Sequence, residues 1–422
     1  MSEIRDIPEH WEVKNLSDFI SNDGIFCDGD WIESKDQDEN GEVRLIQLAD
    51  IRDGYFRDKS NRYLTLKRAN ELNCTFLKQG DILVARMPEP LGRCCLFPLI
   101  GNNKFVTVVD VAIIRVNDEI CDKRFLSYAI NTPQIRNAIN KLESGTTRKR
   151  ISRKNLNTID FPLPPLSEQQ AIVAKIEELL SELDNSKQQL QTALQQLKVY
   201  RQSLLKWVFE GKLTHKNVKE GELPDGWQNA TIGDIFEVHI GSTPKRNNPN
   251  YWGGNINWLS SGEIAFRDIK STREQITVEG LENTSCKVHP IGTVIIAMIG
   301  EGKTRGQAAI LKIESSHNQN TAAIRVDDQV YKSQLLYYYL VLKYEDNRRV
   351  GSGNNQKALN KERVKNISIP LPPISEQQLI VDELESKLTL CDNVEETIKL
   401  SLQQAETLRQ SILKKAFEGK LV

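Results

Sequence analysis

Phe161-Pro162-Leu163-Pro164-Pro165-Leu166-Ser167-Glu168-Gln169-Gln170 returns 208 positions later as Ile369-Pro370-Leu371-Pro372-Pro373-Ile374-Ser375-Glu376-Gln377-Gln378. Both stretches run on to nearly the same ending, Phe209-Glu210-Gly211-Lys212-Leu213 and Phe417-Glu418-Gly419-Lys420-Leu421, at an unchanged offset of 208. Two unrelated surface helices would not align without a gap over such a distance. The chain therefore carries one long element twice.

A Pro-Pro pair cannot continue a helix, whereas a serine after it can cap one. Ser167 with Gln170, and Ser375 with Gln378, fit the S-x-x-Q capping box. From Ile172, a four-three spacing selects Ile176, Leu179, Leu183, Ser186, Leu190, Ala193, Leu197, Tyr200, Leu204 and Trp207 as a heptad seam. The second copy offers Ile380, Leu384, Cys391, Val394, Ile398, Ala405, Leu408 and Ile412, interrupted by Lys387, Ser401 and Lys415. Gly211 and Gly419 fall where each helix should stop. About 44 residues at about 1.5 Å each make a rod about 65 Å long. Such a helix cannot bury its seam alone, so the two are expected to pack on each other as an antiparallel coiled coil.

The repetition extends beyond the rods. Ile7-Pro8-Glu9-His10-Trp11 is matched by Leu223-Pro224-Asp225-Gly226-Trp227, Asp50-Ile51 by Glu263-Ile264, and Gly80 to Ala85 by Gly292 to Ala297. Ala112 to Val116 matches Ala322 to Val326, and Gly145 matches Gly353, with the offset falling steadily from 216 to 208. Val- and Ile-rich runs bounded by Gly, Asn or Asp predict strands at Val43 to Ile51, Asp81 to Ala85, Val106 to Val116, Thr293 to Met298, Ala308 to Ile313 and Thr321 to Val326. One helix is expected before each rod, spanning Phe125 to Leu142 and Leu335 to Tyr344. The fold class is α+β: two collinear repeats, each a globular β-rich domain followed by a long helix. The expected boundaries are 1–163, a rod over 164–211, a polar linker over 212–222, a second domain over 223–371 and a second rod over 372–422. The halves diverge between their shared anchors, so one scaffold carries two different working surfaces.

Composition narrows the function. No run approaches the length of a membrane span, and Met1-Ser2-Glu3-Ile4-Arg5-Asp6 lacks a signal-peptide pattern. An intracellular, cytoplasmic protein with no membrane association is expected. Seven cysteines without a C-x-x-C pair argue against a disulfide framework or a zinc site. The net charge of −1 hides segregation: Lys141 to Lys154 carries +5, and Glu168 to Asp184 carries −4.

Motifs for catalysis do not hold up. Ala297-Met298-Ile299-Gly300-Glu301-Gly302-Lys303-Thr304 loosely fits a phosphate loop, but it leads into the strand-like Ala308 to Lys312 rather than a helix. A hairpin presenting Lys303, Thr304 and Arg305 outward is expected instead. There is no G-x-G-x-x-G opening a helix, no Asn-Pro-Pro-Tyr-like turn of an amino-methyltransferase and no G-x-S-x-G elbow. His10, His215, His239, His289 and His317 show no metal spacing. No catalytic residue and no metal ligand is expected.

Polar loops are more informative, because Arg reads guanine and Asn or Gln reads adenine, while Lys, Ser and Thr hold phosphates. The first half offers Lys35, Arg86, Arg93, Thr146, Arg148, Lys149 and Arg150. The second offers Thr243, Lys245, Arg246, Ser260, Ser261, Lys303, Thr304, Arg305, Asn318, Gln319, Asn354, Asn355, Gln356 and Lys357. Arg148-Lys149-Arg150 and Gln356-Lys357-Ala358 stand at the rod offset of 208, which favours a shared contact surface.

The duplicated Pro-Leu-Pro-Pro-x-Ser-Glu-Gln-Gln start, the Phe-Glu-Gly-Lys-Leu end, the Pro-x-x-Trp starts and the loop from Ile240-Gly241-Ser242-Thr243-Pro244 to Tyr251-Trp252-Gly253-Gly254 resemble the specificity subunit of a type I restriction-modification enzyme. The resemblance covers essentially the whole chain. It implies that residues 1–163 and 223–371 are target recognition domains, each reading one half of a split, asymmetric site in double-stranded DNA. It implies that the rods space the domains and dock two methyltransferase subunits, with Ser167, Gln170, Ser375 and Gln378 as expected partner contacts. S-adenosylmethionine would belong to those partners, and ATP and magnesium to restriction subunits; the chain itself would bind no cofactor. A rod of about 65 Å bounds the separation of the domain centres at about twenty base pairs. The first domain departs from the pattern, carrying Cys27-Asp28-Gly29-Asp30-Trp31 in place of a Gly-Ser-Thr-Pro loop. The alternative is a duplicated coiled-coil scaffold with protein-binding domains. A self-contained methyltransferase is opposed by the missing motifs.

Overall fold

A computed structural model describes residues 7–20, 24–88, 90–98, 101, 104–145, 148–300, 302–349 and 359–422. They divide into two compact units, one drawn from 1–191 with 399–422 and the other from 192–398. Each unit holds one β-rich domain and a part of each long helix. The two collinear repeats of α+β class are thus present.

In the first unit, Glu12–Lys14 pairs with Phe161–Leu163, closing the domain where the chain leaves it for the rod. A four-stranded antiparallel sheet runs in the order Ile25–Asp28, Val111–Arg115, Ile82–Ala85, Cys94–Leu96. A smaller sheet runs Arg62–Leu64, Val43–Ile46, Lys104–Thr107, its last pair parallel. Alternation along the central strand explains its unbroken apolar run. Ile82 and Val84 face a core shared with Phe125, Ile130, Ile172 and Ile176, while Leu83 and Ala85 face Ile46, Phe97 and Phe105. The expected strand Val106 to Val116 is two strands, because the chain turns at Val108 to Asp110 and passes from the small sheet to the large one. The expected helix Phe125 to Leu142 is also two, Lys123–Ile130 and Pro133–Lys141, broken where Thr132 caps the second and Pro133 opens it.

The second unit repeats this design. Gln228–Thr231 pairs with Ser368–Leu371. The large sheet runs Glu237–Ile240, Thr321–Arg325, Val294–Ala297, Ala308–Leu311, and Arg267–Ile269 is added at its edge. The small one runs Glu274–Ile276, Trp252–Leu259, Ser316–His317 with the same mix of antiparallel and parallel pairs.

The long helices are Leu166–Phe209 and Ile374–Phe417. Each starts two positions earlier than a serine cap would require. The amides of Glu168 and Gln169 donate to the Pro165 carbonyl at 2.9 and 3.0 Å, and those of Glu376 and Gln377 to the Pro373 carbonyl at 2.9 and 3.2 Å. The prolines therefore occupy the capping position, and Ser167 and Ser375 lie exposed in the first turn. What ties the helix to its domain is the neighbouring glutamine. Buried Gln169 donates from Nε2 to the Ile120 and Pro164 carbonyls (3.1 and 2.9 Å) and accepts the Asp122 amide (2.8 Å). Gln377 repeats the bonds to Val330, Pro372 and Lys332 at 3.0, 2.9 and 2.8 Å. Beside them, Glu168 accepts from Trp11 Nε1 (3.0 Å) and meets His10 Nε2 (2.9 Å). Glu376 accepts from Trp227 Nε1 (2.9 Å) and meets His215 Nε2 (3.0 Å).

Within each unit the helices run antiparallel. In the first, Asp184 meets Arg409 at 3.2 Å and Lys187 meets Glu406 at 3.1 Å, one number rising as the other falls. In the second, Arg201 bridges Asp392 (2.7 Å) and Glu395 (3.1 Å). The seam differs from the expected one in one of its two columns. Ile176, Leu183, Leu190, Leu197 and Leu204 turn inward as expected, but their companions are Leu180, Lys187, Leu194, Arg201 and Val208. Tyr200 and Trp207, assigned to the seam by spacing, are 49% and 56% exposed. On the second helix, Leu388, Glu395, Leu402, Arg409 and Ala416 replace Lys387, Val394, Ser401, Leu408 and Lys415. Lys387 and Lys415 thus do not interrupt the seam; ion-paired Lys187, Arg201, Glu395 and Arg409 do.

Candidate nucleic-acid interface

In the first domain four segments converge on Arg86, the residue after the central strand. Its amide donates to the Asp110 carbonyl (2.9 Å), its carbonyl accepts the Ile151 amide (3.0 Å), Nη2 donates to the Val109 carbonyl, and Nη1 lies 3.2 Å from Asp28. Met298 is its counterpart in the second domain. The Met298 amide donates to Asn320 (2.9 Å), and its carbonyl accepts from Leu359 (3.0 Å). The same loop ends are therefore gathered at the same point in both domains.

Arg86 was expected to contact DNA, but it is 7% exposed and spends its guanidinium inside the junction. Burial holds its pKa below the usual arginine range, against the pull of Asp28 and Asp110. Arg93 is corrected in the same way. It is 4% exposed and donates to the carbonyls of Ile51 (2.8 Å), Pro90 (3.1 Å) and Leu48 (2.8 Å), clasping the turn Leu48–Asp50 to the hairpin beside it. That turn is organised by Asp50, a buried carboxylate accepting the amides of Gln47, Lys59 and Ser60 at 2.8, 2.9 and 2.7 Å. Glu263 does the same in the second domain, accepting from the Ser260 amide and hydroxyl (2.9 Å each) and the Arg273 amide (2.8 Å). Ser260 thus has its hydroxyl turned inward, with Ser261 half-buried beside it.

Arg148, Lys149 and Arg150 are exposed on a loop closed by paired backbone bonds between Ser144 and Arg150, both 2.9 Å; Lys149 pairs with Glu143. Lys35 is exposed and pairs with Glu33 at 2.6 Å. In the second domain the Thr243 hydroxyl donates to exposed Gln319, whereas Asn318 is buried and accepts the Asn320 amide at 3.1 Å. Asn318 therefore shapes its turn rather than facing solvent. Arg246 lies over the rings of Trp252 (3.9 Å) and Trp258 (4.9 Å) and pairs with Glu274, whose hydrogen bond, and then its charge, raises the pKa of Arg246. Lys245 is exposed next to it. Lys303 is exposed in the hairpin turn, its carbonyl accepting from the Tyr344 hydroxyl at 2.6 Å, while Thr304 and Arg305 are half-buried. Thr146, Asn354, Asn355, Gln356 and Lys357 lie outside the described residues. At the rods, Gln170 and Gln378 are exposed, the latter donating to Asp382 at 2.8 Å.

Spacing gave no sign that three histidines would meet. His239 and His289 rings lie 5.4 Å apart, and His289 and His317 rings 4.9 Å. Burial pushes His289 down to about 3, helped by His317 and Arg325, and pushes His317 down to about 4. Arg325 Nε donates to His289 Nδ1 at 3.1 Å, which suits a neutral ring. Among the described residues no group of three His, Cys, Asp or Glu is placed to hold a metal ion, and no helix is long and apolar enough to cross a membrane.

The sequence matches the type I restriction modification DNA specificity domain twice, over residues 8–196 and 224–404. It is 28% identical over 335 residues to the type I restriction enzyme EcoBI specificity subunit of Escherichia coli, covering 74% of this chain and 68% of that protein. It is 24% identical over 435 residues to the putative type I restriction enzyme MjaX specificity subunit of Methanocaldococcus jannaschii, covering 100% and 96%. In fold it resembles the HsdS subunit from Thermoanaerobacter tengcongensis, with a TM-score of 0.67 at 20% identity over 99% of both chains. It also resembles a chain solved in work on complex assembly and conformational transition of the type I R-M system, with a TM-score of 0.77 at 20% identity over 99% of this chain and 100% of that one.

Proposed function

Since the chain belongs to the type I restriction modification DNA specificity family, we propose that it is the non-catalytic subunit that selects the DNA sequence for a methylating and cleaving complex. Each domain reads one half of an asymmetric, split site in double-stranded DNA. The observation that carries this reading is the shared junction at Arg86 and Met298, where two domains of one topology present loops of different chemistry. Direct readout needs such loops at base edges, and unlike loops select unlike half-sites.

The long helices are proposed to dock two methyltransferase subunits. Their off-seam apolar side chains support this: Tyr200, Trp207, Leu379 and Leu390 are exposed in the second unit, and Leu400 and Leu408 in the first. Ser167, Gln170, Ser375 and Gln378 are exposed at the helix starts and are proposed to take part. In this reading S-adenosylmethionine is held by the methyltransferase subunits, ATP and magnesium by restriction subunits, and none by this chain.

The test is methylome sequencing of cells expressing the chain with its methyltransferase subunit, against cells lacking only this chain. Appearance of N6-methyladenine in a split asymmetric motif is the expected result. A stable complex that methylates no motif would refute sequence-directed modification and favour a protein-binding scaffold.

A further inference from the structure

The two domains carry opposite chemistry at one equivalent locus. Gly29 and Gly241 both pass so close to a neighbouring segment that a Cβ would lie 2.2 Å from the Val108 carbonyl oxygen in the first and 2.0 Å from the His317 carbonyl oxygen in the second. The next amides, Asp30 and Ser242, donate to the carbonyls of Thr107 (2.8 Å) and His317 (2.9 Å). These contacts fix the alignment of the loops, making Trp31 the counterpart of Thr243. In the same way, the bonds of Arg86 to Asp110 and of Met298 to Asn320 make Val109 the counterpart of Gln319. In the second domain Thr243 and Gln319 hydrogen-bond to each other. In the first, Asp30 and Val108 form a parallel bridge, so Trp31 and Val109 are the next residues along two adjacent segments. Two polar residues in one domain thus stand where the other has two apolar ones.

Trp31 is 71% exposed, which leaves the faces of a large apolar ring open to a ligand. Its N–H is already occupied by Glu33 at 3.3 Å, and Glu33 is paired with Lys35 at 2.6 Å. The nearby acids are turned inward, Asp28 to Arg86 at 3.2 Å and both Asp30 oxygens to the Thr75 amide at 3.1 Å. The ring therefore offers apolar surface on a loop pinned at both sides. Major-groove base edges present one apolar feature, the C5-methyl of thymine.

We propose that Trp31 and Val109 read a thymine methyl group in the half-site bound by the first domain, at the locus where Thr243 and Gln319 make hydrogen-bonded contacts in the second. This rests on the chain being a DNA-specificity subunit. Once the site is known, the complex of the full chain with its methyltransferase subunit is competed with duplexes carrying uracil in place of each thymine of the first half-site. Burial of one methyl predicts about fourfold weaker binding at one position. That preference disappears in Trp31→Ala and survives in Trp31→Phe, while selectivity for the second half-site is unchanged and shows that the variants are folded. The proposal is overturned if no position distinguishes thymine from uracil, if the half-site has no thymine, or if Trp31→Ala keeps the preference. A wild-type complex with no preference for any sequence refutes the proposed function, and this assignment with it.

Discussion

Replacing Gln169 by leucine should loosen the first domain from its long helix. The side chain is fully buried, and the substitution keeps roughly its volume while leaving the Ile120 and Pro164 carbonyls and the Asp122 amide unpaired. Each such bond contributes about 0.5–1.5 kcal/mol net, and an orphaned buried group costs about 1–3 kcal/mol. Three together put the loss at about 3–4 kcal/mol, a large share of the stability of one domain. Native-state hydrogen exchange reads this directly, because the Asp122 amide loses the Gln169 acceptor while the core strand Val111–Arg115 reports the whole unit. The paired variant Gln377→Leu should act on the Lys332 amide and the second unit instead. Gln170→Leu, exposed one residue on, should change either by less than about 0.5 kcal/mol. A loss below about 1 kcal/mol for Gln169→Leu, or an equal loss for Gln170→Leu, would refute the assignment of the glutamine as the tie.

Replacing Arg148, Lys149 and Arg150 together by alanine should weaken specific and random DNA binding alike and reduce the slope of log K against log salt by about 3; an unchanged slope removes them from the contact surface. Arg93→Ala should cost about 3 kcal/mol through three lost carbonyl partners, measured by urea unfolding, and an effect under about 1 kcal/mol would show that the clasp is dispensable. The second unit should lose stability as pH falls from about 6.5 towards 4. His289 and His317 have folded pKa values of about 3 and about 4, below the ordinary 6.5, so the unfolded chain takes up protons that the folded one refuses. Their contribution is complete above about 6.5. His317→Asn should flatten that acid limb in melting curves, and an unaltered limb would place the acid sensitivity elsewhere.

The rods were legible because gap-free repetition does not depend on any propensity rule. Their seam was legible only in one column. Leu179-Leu180 and Leu204-Leu205 let either register look apolar, and Tyr200 and Trp207 drew the pattern outward. The true column carries Lys187, Arg201, Glu395 and Arg409, which a binary apolar pattern rejects and which ion pairs make tolerable. Ser167 looked like a cap because serine usually is one; the competing proline carbonyl won. At the interface, residue type pointed to loops but not to direction. Arg86, Arg93 and Asn318 carry the chemistry of base readers yet spend it on their own backbone. The histidine cluster brings together residues 50 and 28 positions apart in sequence, a juxtaposition made by sheet topology alone.

The division of the chain into units also sets an order for its folding during synthesis. The second unit is contiguous, Thr192–Ile398, and every contact inside it is available once that stretch has emerged from the ribosome. The first unit is not: Phe125 packs on Phe417 with ring centres 4.9 Å apart, and Leu413 and Ala416 share its core. The domain that is translated first must therefore wait, part of its apolar surface uncovered, until the domain translated after it has been made. During that interval the nascent N-terminal half is the aggregation-prone one, and chaperone dependence should map to it.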